Sequence, residues 1–219
     1  MRKMLVTLAV GVVLAPSLLA AQDSDKKVTG GGDLAPGWQM RVDPRAGGAA
    51  PPKFVVMGNG FHATSGSRAI YWRAGDVASG NYKVEATFTL SKAPGHPEAY
   101  GLVFAGKDLT TATQNYMYFT LGGHGAFLIK HRAGDADSQI HTIADWTPSD
   151  AIAKPDASGK STDKLEVVVG AQKVQYLING KEVYTMDRAQ LGSGNGIAGI
   201  RVSHNLDVHI ADFKVTPLK

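Results

Sequence analysis

Residues 164–186, KLEVVVGAQKVQYLINGKEVYTM, decide the fold class. Asn179-Gly180 separates two β-like runs, and a two-residue type I′ turn needs positive φ at both central positions, which this pair accepts most readily. The turn sets Ile178 opposite Lys181, Tyr176 opposite Val183 and Val174 opposite Thr185. A four-residue loop at 170–173 sets Val169 opposite Val174 and Leu165 opposite Ile178. Leu165, Val167, Val169, Val174, Tyr176, Ile178 and Val183 then share one face, with Glu166, Gln175, Glu182 and Tyr184 on the other. One apolar and one mixed face describe an antiparallel sheet with one side on a core.

Short runs of the same kind recur along the chain, separated by turn residues. They lie at 38–42, 54–57, 69–73, 82–90, 100–105, 116–121, 126–132, 196–203 and 206–215. Helical periodicity is nearly missing, with single turns expected at 149–154 and 187–191. Repeated short strands with Gly- and Pro-rich turns predict an all-β sandwich of two sheets and about a dozen strands. In the last run the apolar phase jumps from Leu206, Val208 and Ile210 to Ala211, Phe213 and Val215. One extra residue near Ile210 restores it, which predicts a β-bulge. Residues 133–163 read as a long irregular loop carrying Trp146. Tyr71 and Trp72 are adjacent on one strand and so point to opposite faces, one into the core and the other free to be exposed. Trp38 reads as a packing residue.

The N-terminus reads differently. Arg2 and Lys3, an apolar run at 5–15 and Leu19-Ala20-Ala21 have the layout of a secretory signal peptide ending at residue 21. Residues 22–36 are polar and glycine-rich and read as a flexible leader, with one domain over 37–219. There is no cysteine, so neither a disulfide nor a lipid-bearing cysteine is available. The exported chain must be stable through the core that about 190 residues can build. The expected location is periplasmic or secreted, with no membrane span after signal cleavage. Removing Arg2 and Lys3 from the 23 basic residues leaves 21 against 19 acidic ones, a net of +2. No basic stretch with interleaved aromatics occurs, so nucleic acid is not an expected partner.

Three stretches carry a resemblance: YGLVFAGKD (100–108) with YMYFTLGGHGAFLIKHR (116–132), VQYLINGKEV (174–183), and GNGIAGIRVSHNLDVHIADFKV (194–215). Together they resemble the concanavalin A-like lectin/glucanase superfamily, including its laminin-G-like members. More loosely they resemble the secreted bacterial 3-keto-disaccharide hydrolase family, although Glu98-Ala99-Tyr100-Gly101 replaces that family's Asn-Ser-Gly lead-in. The resemblance implies a two-sheet antiparallel jelly-roll sandwich. It also implies, in laminin-G-like members, a calcium site, for which Asp135 and Asp137 are the candidates. The E-x-D-x-x-E strand of laminarinase-type hydrolases is absent, since none of Glu85, Glu98, Glu166 and Glu182 has the required neighbours. A G-x-S-x-G elbow is also absent, and SGNG at 193–196 leads into a strand rather than a helix, so it reads as a turn. No catalytic set is therefore assigned.

The 116–132 hairpin supplies the candidate site. A loop of four, residues 122–125, pairs Leu121 with Ala126 and sets Tyr116 opposite His131 and Tyr118 opposite Ile129. Two tyrosines and a histidine then share the concave sheet face, a platform on which sugar rings can stack. Arg132, Trp146 and Arg201 are candidate neighbours. The seven histidines show no i, i+4 zinc spacing and scatter over separate turns, among them His124, His204 and His209, so no metal centre is expected. The leading reading is a module binding a glycan or cell-surface polymer. A hydrolase or lyase using the same cleft, with Tyr or His as base, stays open, and so does a domain that binds a protein partner.

Overall fold

The computed structural model describes residues 34–43 and 51–219. The expected signal peptide and leader residues 22–33 lie outside them. In chain order the strands are β1 Gln39–Val42, β2 Lys53–Met57, β3 Gly60–Ser65, β4 Ala69–Ala78, β5 Tyr82–Leu90, β6 Ala99–Lys107 and β7 Asn115–Gly122. They continue as β8 Ala126–Ala133, β9 Ile140–Pro148, β10 Ser161–Val169, β11 Lys173–Ile178, β12 Lys181–Asp187, β13 Gly196–Val202 and β14 Leu206–Pro217. One sheet runs β12-β11-β10-β5-β14-β3-β2 and the other β1-β4-β13-β6-β7-β8-β9. Every pairing is antiparallel. The chain is the two-sheet sandwich that its alternation predicts, with the jelly-roll arrangement that the resemblance implies. Among the described residues no helix is long and apolar enough to cross a membrane.

The core lies between the sheets. Leu165, Val167, Val169, Val174, Tyr176 and Ile178 point into it and are fully buried, as the 164–186 pattern requires. Phe119 of the facing sheet meets Tyr176 edge-on at 5.3 Å. The β10–β11 register is as expected, with Val169 opposite Val174 and Leu165 opposite Ile178. Beyond Ile178–Lys181, however, β11–β12 contains a bulge, and Tyr176 faces Tyr184 while Val174 faces Met186. The shift brings Met186 into the core, where its sulfur accepts from Tyr176 Oη at 3.2 Å. The bulge expected in the last strand falls at Asp212, which has φ of 56°, where the β14–β5 register shifts between Ala211 and Lys214.

Other expectations need correction. Leu34 and Ala35 belong to the fold rather than to a leader: Leu34 bridges Phe54 and Ala35 is buried, its N–H donating to Phe54 O at 2.7 Å. The 133–163 segment is not one irregular loop, because residues 140–148 form β9 at the edge of the second sheet. Trp72 is as buried as Tyr71, on the opposite face. Residues 188–191 make the single turn expected, as a 3-10 helix, whereas 149–154 form no helix.

On β14, Asp207 accepts from His62 of β3 at 2.6 Å. This hydrogen bond holds the Asp207 carboxyl below the usual carboxylate range against the opposing effect of burial, with Ser91 assisting. A lowered carboxylate contributes stability above its unfolded pKa and loses it as pH falls through the lowered value. His62→Ala is therefore expected to cost up to about 1 kcal/mol at neutral pH, the range for a half-exposed pair. Urea midpoints of variant and wild type should converge as pH falls through the lowered value.

Candidate functional site on the outer face of the second sheet

Alternation along the second sheet builds a separate cluster on the face turned away from the core. Tyr71 points inward while Ile70 and Trp72 point outward; Leu102 and Phe104 point inward while Val103 points outward; Met117 and Phe119 point inward while Tyr116 and Tyr118 point outward. Ala99, Leu109 and Leu128 complete the outer cluster, with Trp146 and Ile197 packed against it. Tyr116 and Tyr118 are only 2% and 5% exposed. They lie on the face the sequence assigns them, but as shielded rings rather than an open platform.

Two arginines share this face. Arg201, on β13, reaches across β6 to β7, where its Nη1 donates to Tyr116 Oη at 2.9 Å. Its guanidinium carbon lies 4.7 Å from the Tyr118 ring centroid, a cation–π contact. Arg132, on β8, is 1% exposed and is held by three charge-assisted hydrogen bonds. Its Nη1 donates to Asp43 Oδ2 at 3.1 Å, its Nε to Gly134 O at 2.8 Å and its Nη2 to Asp135 O at 2.8 Å. The same Asp43 oxygen lies 3.9 Å from Arg68 Nε and from Arg201 Nη2. Beside it, Arg41 Nη2 donates to both oxygens of Asp135 at 2.8 Å, and Gln114 Nε2 donates to Oδ1 at 2.6 Å. These groups enclose a pocket of about 10 Å³, the room of one water. Four guanidinium groups thus surround Asp43 and Asp135, and with Glu98 as a further negative neighbour of Arg201 the cluster keeps a small excess of positive charge. On the same strand as the tyrosines, Thr120 Oγ1 is buried with no hydrogen-bond partner.

Of the six residues chosen from sequence, Tyr116, Tyr118, Arg132 and Arg201 therefore meet. Trp146 is on β9, half-buried at the cluster's edge, with its ring 4.5 Å from that of His124. His131 does not join them. The hairpin loop has three residues, 123–125, so Gly122 pairs with Ala126 and Tyr116 faces Arg132, while His131 faces Met117. A slip of one residue carries a strand's whole side-chain set to the other face. His131 instead lines a groove of about 320 Å³ with Lys107, Asn115, Met117 and the 190–195 loop. There it lies 3.0 Å from Asn115 Oδ1, and burial, then neighbouring His141, holds it below the ordinary histidine range. A Tyr116–His131 acid–base pair is therefore not formed. Burial also pushes the Tyr118 phenol up, although Arg201 opposes the rise, which makes it a poor base near neutrality.

The calcium candidate is altered as well, since Asp135 spends both carboxylate oxygens on Arg41 and Gln114. The expectation of scattered histidines is corrected by His96 and His204, which meet around Glu98. Arg41, Asp43, Arg68, Gln114, His96 and Glu98 were not selected from sequence. Their partners lie on other strands, and ion pairs of that kind leave no local spacing to read.

No protein-family model matches the chain, and none of the curated proteins matches it in sequence. Solved structures do match in fold. The carbohydrate binding module CBM66 from Bacillus subtilis has a TM-score of 0.61 at 11% identity, over 84% of this chain and 98% of that one. A Bacillus subtilis protein of unknown function with a galectin-like fold has a TM-score of 0.58 at 13% identity, over 82% and 88%. The exoplasmic/lumenal domain of VIP36 in its Ca2+/Man3GlcNAc-bound form has a TM-score of 0.56 at 9% identity, over 85% and 87%. The chain therefore shares the galectin-like, concanavalin A-like jelly-roll fold of these structures.

Proposed function

We propose that this is an exported carbohydrate-binding module that holds an acidic glycan or cell-surface polymer against the outer face of the second sheet. The observation that carries this reading is Arg201, fixed over the Tyr118 ring and bonded to Tyr116 Oη. Because Tyr116 and Tyr118 are shielded, a sugar does not stack on them; they fix Arg201 within a charged cluster whose exposed edge at Arg68 meets the rim of oxygens that a sugar offers. The surplus of Arg41, Arg68, Arg132 and Arg201 over Asp43, Asp135 and Glu98 favours a carboxylated or sulfated sugar, which an arginine fork binds in bidentate fashion. Arg68, the most exposed of the arginines paired to Asp43, is where such a ligand makes first contact. Export rests on the basic, apolar and small-residue layout of residues 1–21. The fold shared with a carbohydrate binding module and with a Man3GlcNAc-bound domain supports a glycan as ligand.

Titration calorimetry against polyuronates, sulfated glycans and neutral glucans tests this reading. Acidic polymers are expected to bind, more weakly as salt rises. Arg68→Ala should lower affinity about tenfold, the loss of one charge-assisted hydrogen bond, at unchanged melting temperature. Equal binding of neutral and acidic glycans, with Arg68→Ala and folded Arg201→Met unaffected, would overturn it.

A further inference from the structure

At one end of the second sheet, the loop before β6 and the turn after β13 bring three ligand-type side chains together. His96 Nε2 lies 3.1 Å from Glu98 Oε1 and 3.3 Å from His204 Nε2, and His204 Nδ1 lies 2.9 Å from Glu98 Oε1. The backbone fixes their approach, because Ser203 N donates to Ala99 O at 2.8 Å and joins the two segments one residue from Glu98 and one from His204. Glu98 is buried, whereas both imidazoles are substantially exposed, so solvent ions reach the cluster.

The protons decide what this arrangement favours. Glu98 Oε1 lies within hydrogen-bond reach of His96 Nε2 and His204 Nδ1, so in the ion-free state an imidazole N–H can donate to the carboxylate from either ring. With those two nitrogens deprotonated, His96 Nε2, His204 Nδ1 and Glu98 Oε1 would offer lone pairs to one cation. Separations of 3.1 and 2.9 Å are close to the edges of a tetrahedron with bonds of about 2.0–2.1 Å to nitrogen or oxygen. Two imidazoles and one carboxylate suit zinc and its first-row neighbours, and suit calcium or magnesium poorly, since those ions prefer all-oxygen shells.

We propose that His96, Glu98 and His204 form a binding site for a divalent first-row transition ion, with zinc as the best match. Three protein ligands leave at least one coordination position open to solvent. The bound ion joins the 91–98 loop to the β13–β14 turn. The site does not require the glycan reading, although Glu98 is also a charge neighbour of Arg201.

Untagged protein, stripped with EDTA and titrated with ZnCl2 by calorimetry and thermal melting, tests it. One equivalent of zinc is expected to bind and to raise Tm by about 5 °C or more at a hundredfold excess over Kd, with no shift from CaCl2 or MgCl2. His204→Ala and Glu98→Gln should each weaken zinc binding at least about tenfold. His209→Ala, outside the cluster, should leave it unchanged. A zinc response that survives in the His96→Ala/His204→Ala double variant, or no saturable response in the wild type, would overturn the assignment.

Discussion

Replacing Asp43 by asparagine is expected to destabilise the protein by about 3–5 kcal/mol, the cost of breaking a buried ion pair from one side. Asp43 is the carboxylate that Arg132, Arg68 and Arg201 share, and Arg132 is almost entirely buried. Neutralising Asp43 leaves that guanidinium without its counter-charge in a pocket with room for only about one water. For a domain of this size the loss corresponds to a fall in Tm of roughly 6–20 °C, and a urea titration measures it directly. Adding Arg132→Met to the variant should recover part of the loss, because the pair is then removed as a unit. The recovery should be incomplete, since Gly134 O and Asp135 O each lose a donor. A change below about 1 kcal/mol in Asp43→Asn would place the pair among weakly coupled surface bridges.

Gly199→Ala is expected to cost more than the roughly 1–3 kcal/mol usual for an overpacked core. A Cβ there would lie 2.3 Å from the backbone oxygen of Tyr71 and 3.1 Å from Trp72 Cβ. The strain has no flexible side chain to absorb it, because β13 is closed in by β4 on one side and β6 on the other. The residue also sits where the β13 register shifts against both neighbours, two positions before Arg201. Gly75→Ala is the control, since a Cβ there meets nothing within 4 Å, and should change stability by no more than about 0.5 kcal/mol. Similar denaturation midpoints for the two variants would mean that β4 and β13 separate without cost.

The fold was legible because its signals are local. Asn179-Gly180 adopts φ of 52° and 78°, and the alternation before it places the inward residues of β10 and β11 correctly, whereas on β12 the bulge sets Tyr184 and Met186, not Val183 and Thr185, opposite Tyr176 and Val174. The phase jump after Ile210 likewise exposed a real bulge, displaced by two residues. The 122–125 loop was harder, because Gly-Gly-His-Gly offers three glycines for a turn and only Gly125, at φ of 82°, takes the left-handed conformation. Nothing in that tetrapeptide distinguishes a loop of four from a loop of three. The difference moved His131 away from Tyr116 and brought Arg132 to it. β9 was missed because an edge strand carrying Ile143 and Ala144 only half-buried shows little alternation. The arginine–aspartate network and the His96–Glu98–His204 group were not legible at all. Each joins residues distant in the chain, His96 and His204 by 108 positions, through side-chain chemistry that imposes no period.

The strand order has a consequence for the timing of assembly. β13 fills the gap between β4 and β6, and β14 fills the gap between β5 and β3, so the final segment of the chain supplies an interior strand to both sheets. In a nascent polypeptide emerging N-terminus first, each of the two sheets is divided into two parts until residues 196–217 arrive, and such distant pairings form slowly. Arg201 is then among the last groups to be seated. A chain whose last segment supplies an interior strand of both sheets leaves each sheet open until synthesis is complete, so the outer face around Arg201 is assembled only at the end.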